Sequence, residues 1–388
     1  MNRWRRLWPV VLAVVMAGCG GVVAVRAGAG RVREATSAIR TALAEQGAAL
    51  QRGDRTGWLR PVDPALQPEL LRLYGNLRGF HVSAWLPRTT SMTGDHGSWQ
   101  AAVQIRVCFA DTRCTRDAET YVPLGDVITA ATVWRVTDGR AALTTFTFAN
   151  GTPIAVPWKT GELSFAEGSR VVVAASAGGP APSSWIAAAD RAALAADRYA
   201  IARPGKYLIY LAAEDEWAAA IGADEDALGF VDRTSKQTAF TVVDAAEAPD
   251  EHLLKHELGH VSTLLGTLGG DADWAIEGMA EYVAWEQTPM AAYRRKAAAR
   301  ALAGRTGWQG RLDLPWSPAP ADRVGYYAMA YLAVRCLASA YGKEQLLSFF
   351  TGVARNGRAP ADVALTTLGV PWATAEATCH PKIDGWLR

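Results

Sequence analysis

The chain has almost no net charge to offer a charged partner. Its 40 Lys and Arg residues nearly cancel 38 Asp and Glu, leaving +2 over 388 residues. Three of those positive charges, Arg3, Arg5 and Arg6, stand at the extreme N-terminus. Nothing in that balance suggests a nucleic-acid partner or an acidic substrate. No internal repeat and no long low-complexity segment is present, so the chain reads as ordinary globular material. Half of it is apolar and a fifth charged, enough for two domains with their own cores. Cysteine and histidine are scarce, at five and six. Where those few residues stand carries most of the information.

The one long hydrophobic run lies at the start. "MNRWRR" is a basic segment, "LWPVVLAVVMAG" an apolar one, and small residues surround Cys19, the order of an export signal. Met16-Ala17-Gly18-Cys19 resembles a bacterial lipobox, which implies lipidation of Cys19 as the mature first residue. Met16 stands where Leu is usual in that pattern. The uncharged run continues for 19 residues, Leu7 to Val25, long enough for an uncleaved membrane anchor. Simple secretion is the third alternative. A lipoprotein is the preferred expectation, and all three place the bulk of the chain outside the cytoplasm.

Cysteine usage agrees with that compartment. Setting Cys19 aside leaves Cys108, Cys114, Cys336 and Cys379, an even number in an oxidising environment. Of three connectivities, the local one is preferred: Cys108 with Cys114, and Cys336 with Cys379.

Along the chain, helical spacing over 31–53 (Ile39, Leu43, Leu50) ends at Gly53, and a second helix is expected over "ALQPELLRLYGNLRGF". From His81 the pattern alternates: "HVSAWL", "WQAAVQIRVCF", "VITAATVWRV" and "AALTTFTF" read as strands. Helices followed by an antiparallel sheet give an α+β accessory domain over 30–150, and this order resembles the cystatin-like, nuclear-transport-factor-two-like fold. Residues 151–184 read as a linker region holding one hairpin. From 185 onward come an Ala-rich helix, the strand "KYLIYLA", a short helix and a strand pair ending in "QTAFTVVD".

Then comes "EHLLKHELGHVSTLLG". Leu254, Leu258, Val261 and Leu265 form an apolar helical face. His256 and His260, four apart, lie one turn above each other on the opposite side, where both imidazoles can reach one metal ion. Glu257 flanks that ion, where a carboxylate can take a proton from water. His252 repeats the spacing, but Leu253 stands where its base would be, so a solvated or capping role is expected. A catalytic zinc takes three protein ligands. Downstream, "DWAIEGMAEYVAW" puts Glu277 and Glu281 on one helical face, and Glu277 follows His260 by 17 residues, room for a loop and a returning helix.

"HELGH" followed by "WAIEGMAEYV" resembles the gluzincin metallopeptidases, specifically the peptidase MA-like domains. The resemblance covers roughly residues 185 to 388 and implies a zincin-type domain with a small mixed sheet and active-site helices. It implies His256, His260 and Glu277 as zinc ligands, Glu257 as the catalytic base, and Glu281 as a carboxylate that orients a ligand histidine. "YAMAYLAVRCLASAYGKEQLLSFF" is similar to the family's C-terminal helix, with Tyr327 at the helix-opening position as an oxyanion donor. In zincins the strand before the active-site helix is an exposed sheet edge that pairs with peptide substrate, which here implies "QTAFTVVD".

The sequence thus predicts an exported, membrane-tethered, Zn2+-dependent peptidase acting on a peptide or protein, with no nucleic-acid partner. Two alternatives remain: a cell-envelope binding lipoprotein with a structural zinc, and an amidase acting on cell-wall peptides.

Overall fold

The computed structural model describes residues 8–388 except 96, 111–125, 150–156, 160, 222–227, 233–237, 246–247, 268–269 and 316–318. Side chains are described from Gly30 on, save at 126, 219–221 and 320. The chain is α+β and divides into two compact units. The first comprises Met1–Tyr74, Ala84–Val107 and Val127–Asn150; the second comprises Gly75–Ser83, Cys108–Asp126 and Gly151–Arg388.

In the first unit helices precede a sheet, in the order the sequence predicts. α1 (Trp8–Arg52) stops at Gly53, whose φ of 73° suits glycine. Ile39, Leu43 and Leu50 all point into the core. α2 (Arg55–Leu59) starts on Asp54, whose side chain accepts the Gly57 N–H. α3 (Gln67–Gly79) follows, and Trp58 donates its indole N–H to the Leu70 carbonyl at 2.7 Å. The sheet runs in sequential order: β1 (Val82–Asp95), β2 (Ser98–Phe109), β3 (Asp126–Thr137), β4 (Arg140–Phe148). β3 and β4 are antiparallel and joined by Asp138-Gly139, both at positive φ, as a two-residue hairpin requires.

The second unit is built on a five-stranded mixed sheet, ordered β5 (Leu163–Glu167), β6 (Val171–Ser176), β7 (Tyr207–Ala212), β9 (Phe240–Asp244), β8 (Gly229–Asp232). β6, β7 and β9 are mutually parallel, and the outer strands β5 and β8 pair antiparallel to them. Helices α4 (Ile186–Asp197) and α5 (Glu214–Ile221) fall in the connections between parallel strands.

Two expectations change here. The hairpin expected inside a linker forms, but its second strand joins the main sheet. β6, "VVVAAS", is buried at its first five residues, a continuous apolar run of the kind interior parallel strands carry. Asn76 anchors the preceding segment, donating to the carbonyls of Trp158 and Gly161 and accepting the Leu163 N–H. The second change concerns the sheet edge: "QTAFTVVD" gives β9, an interior strand, and β8 is the edge of the described sheet. Thr241 is fully buried beside Phe240 and Val242, so the alternation marked two buried faces of different polarity.

The remaining helices are α6 (Glu251–Leu264), α7 (Asp273–Trp285), α8 (Lys296–Thr306), α9 (Pro320–Tyr341), α10 (Lys343–Phe350), α11 (Pro360–Thr367) and α12 (Trp372–Leu387). Cys336 on α9 and Cys379 on α12 form the expected disulfide, Cα to Cα 5.7 Å. Cys108 is disulfide-bonded, and Cys114 lies outside the described residues. Cys19 lies among residues whose side chains are not described. Among the described residues no helix is long and apolar enough to cross a membrane.

Candidate metal centre

Helix α6 begins at Asp250, whose carboxylate accepts the N–H groups of His252 at 2.7 Å and Leu253 at 3.4 Å. Leu254, Leu258 and Val261 face the core of the second unit, which leaves His256 and His260 on the opposite side. Helix α7 packs tightly against α6 because Gly259, inside "HELGH", carries no side chain. A Cβ there would stand 3.2 Å from Ala280 Cα and 3.3 Å from Val283 Cβ. Gly278, inside "WAIEGMAEY", does the same for α9, where a Cβ would fall 2.5 Å from the Ala330 carbonyl oxygen. These two close approaches set where α7 presents Glu277 and Glu281. Gly278→Ala should therefore push α7 and α9 apart and cost about 1–3 kcal/mol, the usual range for overpacking, in chemical denaturation.

Three donor atoms converge. His256 Nε2 and His260 Nε2 are 3.1 Å apart, and Glu277 Oε2 stands 3.2 Å from the first and 3.4 Å from the second. Two imidazoles and a carboxylate form a typical zinc donor set. Ligand atoms about 2.0–2.1 Å from a tetrahedral zinc lie about 3.3 Å from each other, so the observed triangle matches a zinc-sized cation. Glu277 Oε2 is buried and makes no hydrogen bond of its own, an acceptor aimed at a position between two ring nitrogens. The residues fit the ion.

The electrostatics point the same way. Burial lowers the His256 pKa, but the Glu277 and Glu281 carboxylates overcome it and raise it above the usual histidine range. Burial raises the Glu277 pKa, and His260 and His256 more than reverse it. The pocket favours positive charge among its imidazoles, which a divalent cation provides without protons. Glu257 differs. It is buried, and that burial pushes its pKa up, the direction expected for a general base.

Glu281 stands beside His256, outside the donor triangle. Only 1% exposed, it brings Oε1 to 3.2 Å from His256 Nδ1, off the line of a formed hydrogen bond, and the same oxygen accepts from Arg295. Tyr327 lies mid-helix, two turns past the start of α9 at Pro320, so the helix-opening expectation is corrected. Its ring centroid is 5.9 Å from that of His256, and it lines a cleft of about 150 Å³ together with His256, Glu257 and Gly229. Burial raises its pKa, so the hydroxyl keeps its proton and can donate.

His252 is half-buried and takes a capping place at the last turn of α7 rather than at the start of its own helix. Its ring stacks on Trp285 at 3.8 Å, with Nδ1 3.1 Å from the Ala284 carbonyl. Three features lie outside the expectations drawn from the sequence. Asp250 as the cap was readable, being an Asp just ahead of the helix. β8 as the edge follows from strand order, which periodicity does not encode. Arg295 lies within a run of basic residues that resembles any solvated helix start.

No protein-family model matches the chain, and no curated protein matches it. Among solved structures, one similar chain is a mutant M1 zinc metallopeptidase from Deinococcus radiodurans, 14% identical with a TM-score of 0.38. Another is a mutant two-domain M1 zinc metallopeptidase bound to L-arginine, 15% identical with a TM-score of 0.37. Each match covers 79% of this chain and 61% of that one, so the chain spans less than two thirds of either structure. Likeness at this level carries no weight for the chemistry, which rests on the residues themselves.

Proposed function

We propose that the chain is a zinc-dependent peptidase that hydrolyses peptide bonds with His256, His260 and Glu277 as metal ligands and Glu257 as general base. The observation that carries this is the triangle of donor atoms, 3.1, 3.2 and 3.4 Å on its sides, with the buried Glu257 carboxylate lining the same cleft as His256. Zinc in such a site supplies Lewis acidity and lowers the pKa of water to about 7. Glu257 takes the proton of the attacking water and hands it to the leaving amine. Tyr327 donates its hydroxyl hydrogen bond to the carbonyl oxygen as charge builds there; losing one such donor typically costs ~3 kcal/mol.

The edge strand β8 supports a way to hold substrate. A Cβ on Gly229 would stand 3.1 Å from the Glu257 side chain, so β8 runs beside the base. An extended peptide adding to β8 is carried past Glu257, with main-chain hydrogen bonds fixing its register. The donor count favours catalysis over a structural zinc. Among the described residues three groups converge, whereas a closed structural site takes four.

The N-terminal pattern around Cys19 supports an extracytoplasmic enzyme tethered to the membrane by lipid. Full-length chain extracted in detergent is expected to carry one zinc and to cleave a random peptide library. A chelator should abolish cleavage and added zinc restore it. Cleavage that survives complete zinc removal contradicts the proposal, and cleavage confined to cell-wall peptides would select the amidase.

A further inference from the structure

We propose that Arg295 is a positioning residue of this centre: it holds the Glu281 carboxylate against His256 and thereby fixes the imidazole presented to the metal. The role rests on the zinc-site reading above and extends it by one link. Glu281 is almost fully buried, and a single carboxylate oxygen, Oε1, both accepts from Arg295 and faces His256 Nδ1. The chain of groups therefore runs from guanidinium to carboxylate to imidazole. The hydrogen bond from Arg295 fixes the carboxylate, and the fixed oxygen lies against His256 Nδ1 at 3.2 Å, so the carboxylate cannot rotate without leaving one of the two groups.

Arg295 is delivered from a fixed point. It is the residue that precedes α8, and α8 is anchored in the core by Ala299 and Leu302. The neighbouring arginine does something else, since the Arg294 guanidinium lies over the Trp285 ring at 5.1 Å. Arg295 is thus the arginine paired with Glu281 among the described contacts. Charge gives a second, independent reason for it. Three buried or half-buried carboxylates, Glu257, Glu277 and Glu281, surround two imidazoles. A divalent cation offsets two of those charges when the imidazoles are neutral, and Arg295 offsets the third. Without it a buried carboxylate is left uncompensated beside the ligand it must hold.

Metal binding by the full-length chain and its variants separates this role from a simple structural ion pair. Zinc affinity is read by competition with a chromophoric chelator, and ligand geometry by the visible spectrum of cobalt(II)-loaded protein. Arg295→Met should weaken zinc about 10- to 100-fold, as loss of outer partners of ligand histidines does, and shift the cobalt bands. Arg295→Lys should recover much of the affinity. If Arg295 acts through Glu281, adding Arg295→Met to Glu281→Gln should cause little further loss. That pair also leaves no buried carboxylate unpaired, so it keeps the test readable where Arg295→Met alone unfolds. Parent-like affinity and spectrum in Arg295→Met, or losses that simply add in the double variant, overturn the role. A parent chain that binds neither zinc nor cobalt overturns the metal centre itself, and this role with it.

Discussion

Glu257→Gln is expected to keep its zinc and lose its hydrolysis. The amide has the shape of the carboxylate and leaves His256, His260 and Glu277 untouched, so the donor triangle stays intact. It cannot take a proton from water, and general-base contributions of this kind are worth about 10²–10⁴-fold, or ~3–5 kcal/mol of barrier. Stability should not suffer. Glu257 is a buried acid whose pKa is raised by its burial, so replacing it with a neutral side chain removes a desolvation cost. Peptide turnover beside zinc content and a denaturation midpoint checks all three statements on one preparation.

The ligand variants should behave in the opposite way. His256→Ala or His260→Ala removes one corner of the donor triangle and leaves two donors, too few to hold the ion against dialysis. Affinity should fall by more than the roughly 10- to 100-fold typical of outer-shell changes, and activity should follow occupancy. Glu277→Gln removes the anionic ligand but keeps a weak oxygen donor, so its loss should be partial and recoverable with excess zinc. Elemental analysis after dialysis, repeated at rising zinc concentrations, distinguishes lost affinity from lost chemistry. Zinc retained at one per chain in both histidine variants refutes the ligand assignment.

How much of this was readable beforehand depended on the range of the interactions. His256, Glu257 and His260 are fixed relative to each other by a single helix, so spacing alone places them. Glu277 and Glu281 needed a second helix returning to the first. The sequence carried that too, since the apolar residues around them left little of α7 to be solvated. What it could not carry is strand order. β9 alternates as an edge strand would, yet it lies between β7 and β8, and pairing partners are set by the whole sheet. The β5–β6 hairpin was visible as a hairpin, but its membership of the main sheet depends on β7, which is 31 residues beyond the end of β6. The family resemblance puts Tyr327 at a helix start, whereas α9 begins two turns earlier, at Pro320. Arg295 gives no local signal at all, because its partner Glu281 lies 14 positions earlier, on a different helix.

The most direct test of the central claim is zinc content and peptide hydrolysis measured together on the parent chain, Glu257→Gln and Glu277→Gln. The account predicts a parent with one zinc and chelator-sensitive turnover. Glu257→Gln should keep that zinc and lose nearly all turnover, and Glu277→Gln should lose both in proportion. Turnover equal to the parent's in Glu257→Gln would contradict the mechanism, since no proton could then be passing through Glu257.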